Sequence, residues 1–354
     1  MTAPGWGNDP PPSARAPRVP DADGASGDGL PPPTEQPPGA GIFSLEHRRA
    51  PGLYLVAWLL AGAGLLLTFL IAPQASNETA GLALFVFGLV LTTLGFAAGA
   101  GSQVLERQDR RPDRYRGPSP VLTFLTYFFA VSLIGFLAIA IGWDGTQEPF
   151  AFLVIATIQA AAYVVVVWLF AVRSGALSWA EMGWPTWGER TLRDAVGSVL
   201  ASALLTVPVT FGILVLGGVL ALLLDAEAPD ILPAVQTSTE AVAVALAAAL
   251  VVPIGEEVLF RGLAVTAWRR DLGDRSALVR SSVFFAIVHL LNIPAADAGD
   301  GLAAAVLTVA VLLPVGFWLG YLFLRRGLLA AITGHAAYNL IVLLGWLAST
   351  DALG

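Results

Sequence analysis

Two adjacent carboxylates, Glu256 and Glu257, stand inside the apolar run from Ala241 to Trp268, with Arg261 one helical turn further on. A charge placed in hydrocarbon costs about 2.5 to 3.5 kcal/mol even on the gentler insertion scales, so each is a functional suspect. Glu257 and Arg261 are spaced i,i+4 with the acid first, the favourable register for an ion pair within a helix. Glu256 projects about 100° away on such a helix and must find its partners on other segments. Few exist. The chain has three histidines, and two of them, His289 and His335, also lie in apolar runs; Asn339 shares a helix face with His335. The third, His47, stands beside Arg48 at a membrane boundary, the place of an interfacial residue.

Glu and His can activate water as general base and orienting group. Two histidines and one carboxylate can also hold a catalytic zinc with an open position. Either chemistry requires the groups to meet. Glu256 lies 13 residues before Arg269, while His289 and His335 lie nine residues after Arg280 and Arg326. At ~1.5 Å per residue these are depths of about 19, 13 and 13 Å, one layer of a bilayer. The expected arrangement is a buried cluster opening toward the cytoplasmic half. Interhelical polar contacts that only join helices, at about 0.6 kcal/mol each, explain a single histidine or asparagine better than four groups at one depth beside an ion pair.

The elements that must position these groups are membrane helices. The 354 residues are 56% hydrophobic and 13% charged, with a mean hydropathy of +0.72, too apolar for a globular surface in water. Runs long enough to cross ~30 Å of hydrocarbon are expected at Gly52 to Ala72, Ala80 to Ala100, Val121 to Trp143, Phe150 to Val172, Ala195 to Leu224, Ala241 to Trp268, Ala277 to Leu291, Leu302 to Leu324 and Leu328 to Ala348. The fold class is all-α, a polytopic helical membrane protein with about nine transmembrane helices, the seventh short and the fifth long. Pro208, Pro253 and Pro314 fall inside spans, where a neighbour must satisfy the carbonyl each proline frees.

All 19 basic residues are arginine, and every interhelical gap containing arginine falls on one side of this arrangement, with gaps of Asp and Glu on the other. By the positive-inside rule the N-terminus is cytoplasmic, in a multi-pass protein of the inner or plasma membrane. Residues 1–45, rich in Pro and Gly, form a disordered cytoplasmic tail with no signal-peptide pattern. Residues 52–235 form an N-terminal set of transmembrane helices, and 240–350 the region carrying the chemistry. The absence of cysteine excludes disulfides, thiolate zinc sites and a cysteine nucleophile, and the net charge of −7 argues against nucleic acid as a partner. Membrane lipid is the surrounding partner.

In this order and in separate spans, Glu256-Glu257 with Arg261, Phe285 with His289, and His335 with Asn339 resemble the three motifs of the CPBP intramembrane proteases, the CAAX prenyl endopeptidase or Abi family. The resemblance covers about Ala241 to Ala348. It implies hydrolysis of a peptide bond in a membrane-associated protein or peptide substrate, with Glu256 and His289 activating water and His335 and Asn339 donating to the oxyanion. It makes Glu257 and Arg261 a structural pair, and Phe285 a packing residue. It favours a metal-free, glutamate-dependent reaction; the alternative cofactor is Zn, held by Glu256, His289 and His335. The arginine-only, Ala- and Pro-rich composition reads as bacterial, so the family's eukaryotic prenylated clients need not be the substrates. A non-catalytic scaffold or bacteriocin-immunity-type protein and a proton-coupled transporter are the rival functions, the last disfavoured by the lack of an internal repeat.

Overall fold

The computed structural model of the chain describes residues 44–45, 48–140, 142–143, 148–185, 192–226, 232–293 and 298–349. The expected disordered tail, apart from Ser44 and Leu45, and the interfacial His47 lie outside the described residues. The described residues from Arg48 onward belong to one unit. They form helices and connecting turns, with no strand among them.

Among the described residues nine helices run in sequence: α1 (Pro51–Gln74), α2 (Glu78–Arg107), α3 (Pro120–Ala140), α4 (Pro149–Val172), α5 (Leu192–Leu224), α6 (Ser238–Leu272), α7 (Asp274–Val288, continued by a 3-10 turn His289–Asn292), α8 (Ala298–Arg326) and α9 (Leu328–Ser349). Eight are long and apolar enough to cross a membrane. The seventh is the short one: 15 α-helical residues rise only about 22 Å, and Asp274, Arg275 and Arg280 occupy its first two turns. Local chemistry sets the starts. Proline opens α1, α3 and α4, the Asn77 side chain caps α2, and Thr237 with Glu240 forms a reciprocal capping box on α6. Single glycines at positive φ, Gly273 and Gly327, reverse the chain between α6 and α7 and between α8 and α9.

The arginine-rich connections gather at one end of the bundle, as the sequence requires. Arg110 bonds the Asp271 carboxylate and Arg114 the Asp271 carbonyl, joining the α2–α3 connection to the end of α6. Arg270 reaches the Ala176 carbonyl and pairs with Glu181 in the α4–α5 connection. Tyr115 is buried beneath this layer, which pushes its phenol above the ordinary value. The core forms around α6, whose residues 257–265 are all buried, against Phe285 of α7, Leu319 and Leu322 of α8 and Leu328 of α9.

Candidate active site

The helix that carries the two carboxylates is not regular. In α6 a π-helical run, Ala247–Val251, gives way to one and a half α-turns at Val252–Glu257, and then to a second π-helical run, Val258–Val265. Runs of this kind concentrate at functional sites, because they re-aim side chains without ending the helix. Gly255 seats this segment against α4. A Cβ there would lie 2.7 Å from Ala160 Cα, so only glycine permits the approach.

Glu257 and Arg261 pair as their spacing predicts, with Nη1 to Oε1 at 2.7 Å and both side chains fully buried. Arg261 Nη2 also donates to the Gly316 carbonyl at 3.3 Å, and its guanidinium lies 4.5 Å from the centre of the Phe285 ring, a cation–π contact. Phe285 is thus a packing residue with an electrostatic side to its role. Glu257 does more than neutralise: its Oε1 also takes His335 Nδ1 at 2.9 Å. That fixes the rotation of the His335 ring and leaves Nε2 3.8 Å from Glu256 Oε2.

His289 is oriented in the same manner. Its Nδ1 is 2.7 Å from the Phe285 carbonyl, which can only accept, so Nδ1 carries the hydrogen and Nε2 presents its lone pair. That Nε2 is 4.0 Å from Glu256 Oε1. Glu256, His289 and His335, from α6, the end of α7 and α9, therefore converge, and Glu256 Oε2 is buried without a hydrogen-bond partner. Asn339 takes a different place from the other three. Its Nδ2 donates to the Ala248 carbonyl of the first π-helical run at 2.7 Å.

The chemistry of the three converging side chains suits zinc, since each histidine has one nitrogen tied to an acceptor and the other free to ligate. Their spacing does not. The 4.0 and 3.8 Å separations exceed the roughly 3.3 Å between two ligands on a tetrahedral zinc. Among the described residues no three His, Asp or Glu side chains stand ready to hold an ion.

Glu256 and His289 lie at the inner end of a cavity of about 760 Å³ between α3 and α4. Its lining runs along α3 from Phe124 to Ile139, takes in Trp143 beyond that helix and reaches Asn292 at the end of α7, so it extends away from the arginine-rich end. The expected opening of the cluster is toward the half that carries the arginines, whereas most of this lining lies in the other half. Toward the arginine side, Phe124 of the lining packs with Phe260, Phe284 and Trp268, edge to face and tilted at 5.3 to 6.2 Å. Exposed apolar residues at the cavity, Ile134, Ile139 and Val154 among them, face where lipid would lie. Sequence reasoning missed the contributions of α3 and α4: Tyr127 and Tyr163, stacked 3.6 Å apart, and Gln159. The available signal was a polar group in mid-span, weaker than a charge because an uncharged group costs less to bury.

Residues 238–341 match the family model described as "Type II CAAX prenyl endopeptidase Rce1-like". No curated protein and no solved structure matches the chain. The matched segment holds both carboxylates, His289, His335 and Asn339. The last third of this polytopic helical membrane protein is accordingly similar to the protease domain of the CPBP, or CAAX endopeptidase, family.

Proposed function

We propose that the chain is an intramembrane endopeptidase in which Glu256 is the general base. The observation that carries this reading is the convergence of His289 Nε2 and His335 Nε2 on the two oxygens of one partly buried carboxylate that lines a cavity. A water about 2.8 Å from both Glu256 and His289 subtends about 90° between groups 4.0 Å apart, an angle one water can satisfy. His289 Nε2 accepts one water hydrogen and orients the lone pair. Glu256 removes the other as the oxygen attacks the scissile carbonyl carbon.

The carbonyl oxygen becomes the oxyanion and is received by His335 Nε2–H. With Nδ1–H held by Glu257, His335 donates as an imidazolium; the group of Glu256, Glu257, Arg261 and His335 is neutral as a whole before attack, and after Glu256 takes the proton its charge of +1 is balanced by the oxyanion. Glu256 passes its proton to the leaving nitrogen, the C–N bond breaks, and one water has been consumed to give a carboxylate and an amine. The wide Nε2-to-carboxylate spacing favours protein groups and water over a bound metal. The substrate is a membrane-associated protein or peptide reaching the cavity from the lipid side between α3 and α4, and the arginine-rich end with the N-terminus faces the cytoplasm.

The test compares peptide termini in membrane proteomes of cells lacking the protein and cells supplied with the wild type, Glu256→Gln or His289→Ala. Loss of a general base costs about 10²- to 10⁴-fold, so fragments present with the wild type are expected to vanish with both variants and to persist in the presence of a zinc chelator. Unchanged fragments from variants that insert and fold would overturn the assignment. A non-catalytic scaffold predicts that outcome.

A further inference from the structure

The carbonyl that Asn339 binds is the one that Pro253 orphans. Within the first π-helical run the Val252 amide donates to the Ala247 carbonyl, five residues back. The next pair in that register is residue 253 with Ala248. Residue 253 is proline and has no N–H to give. The Ala248 carbonyl therefore loses its donor inside the helix, in a setting where an unsatisfied backbone group is costly because lipid offers no hydrogen bond. The Asn339 amide stands 2.7 Å from it, 91 residues away in sequence.

We infer that Asn339 is a positioning residue that supplies the hydrogen bond missing at Pro253 and so holds the Glu256 segment of α6 in register against α9. One face of α9 then makes two bonds to α6. His335 meets Glu257 below the proline, and Asn339 meets Ala248 above it. The two donors are one turn apart and flank the segment Val252–Glu257 that aims Glu256. Proline in turn has a purpose here. It keeps Ala248 free to accept a side chain, and it blocks the ordinary helical register that would swing Glu256 away from the two imidazoles. The reading of Glu256 as base supplies the functional consequence, but the bond itself is independent of it.

The experiment is a double-variant cycle in lipid nanodiscs with Asn339→Ala, Pro253→Ala and the pair. Alanine at 253 restores an N–H that can satisfy Ala248, so the two substitutions are expected to compensate. Asn339→Ala alone should shift the unfolding equilibrium about tenfold or more toward the unfolded state, the consequence of stranding a buried acceptor. The same change in the Pro253→Ala background should shift it less than about threefold, with faster amide exchange across 247–257 only in the single variant. If Asn339→Ala does not accumulate in folded form, recovery of folded protein in the double variant is the same result. In cleavage assays the Asn339→Ala loss should fall on kcat and shrink when Pro253 is also replaced.

Equal loss in both backgrounds would overturn the inference and make Asn339 a direct donor to the substrate. An unchanged unfolding equilibrium in the single variant would overturn it as well. A protein that cleaves nothing yet shows the compensating cycle overturns the protease reading and leaves this one standing.

Discussion

Helices α5 and α6 begin from similar material and end as opposites. Both exceed 30 residues, both are strongly apolar, and both contain an internal proline. In α5, Pro208 sits within one unbroken α-helix, and 11% of its apolar 18-residue stretch is buried. In α6, Pro253 lies where π-helical and α-helical runs meet, and 44% of the corresponding stretch is buried. One helix faces lipid along most of its length and is tied to α8 by the bond from Trp318 Nε1 to Thr206. The other is enclosed by α3, α4, α7, α8 and α9 and carries Glu257, the only fully buried carboxylate among the described residues, with the partly buried Glu256 beside it. Irregular backbone is tolerated at membrane depth only where protein surrounds it. Burial is therefore the condition that lets α6 depart from helical geometry, and that departure aims Glu256.

The sharpest way to break this contrast is to remove the charge pair that α5 does not have. Arg261→Ala leaves Glu257 buried with only His335 as a partner and is expected to destabilise the protein by about 3–5 kcal/mol. Reversible unfolding in mixed micelles measures this. Replacing both Glu257 and Arg261 by apolar residues of similar volume should recover most of that loss, because well-packed apolar groups often match a buried ion pair. Cleavage should stay lost, since His335 Nδ1 no longer has the acceptor that aims its ring. A double variant that cleaves normally would show that Glu257 has no part in orienting His335.

A next comparison uses one residue type in both helices. Leu263 of α6 is fully buried, whereas Leu204 of α5 is 70% exposed. Leu263→Ala opens a cavity in a close-packed region and should cost about 2–5 kcal/mol. Leu204→Ala removes a lipid-facing side chain and should stay within about 0.5 kcal/mol. Equal losses at both positions would mean that α5 is covered by something other than lipid.

Much of this contrast was legible in the sequence, for a physical reason. Charged and imidazole groups are expensive in hydrocarbon, so their few positions carry information, and counting from the arginines placed Glu256, His289 and His335 in one layer. The structure brings both Nε2 atoms to 4.0 and 3.8 Å from Glu256. The i,i+4 spacing gave the Glu257–Arg261 bond, and the prolines announced that some carbonyl would need outside help. The helper at Pro253 was not legible, because the meeting of Asn339 with Ala248 is decided by how α9 packs on α6. Tyr127, Tyr163 and Gln159 were missed because α3 and α4 are apolar on every side, leaving no periodicity to reveal which face lines the cavity. The course of the cavity lining was not legible for a related cause. Phe124, Phe260, Phe284 and Trp268 read in sequence only as apolar residues, and their ring cluster exists only once the helices are packed.

The smallest expected effect is one in which the two helices respond with opposite signs. At Gly255 an added Cβ meets the Ala160 backbone at 2.7 Å, whereas at Gly212 of α5 nothing lies within 4 Å. Gly255→Ala must push α6 off α4 and should destabilise by about 1–3 kcal/mol as an overpacked contact, with cleavage falling further than stability because Glu256 is the next residue. Gly212→Ala meets open space in a helix interior and should stabilise by about 0.5–1 kcal/mol by removing glycine's chain entropy. Thermal unfolding of the two variants side by side measures both. If Gly255→Ala were neutral, α4 and α6 would be free to separate there, and the close approach that sets Glu256 at the cavity head would not be what holds it. If Gly212→Ala were destabilising instead, α5 would be pressed against a surface that its exposed leucines do not reveal.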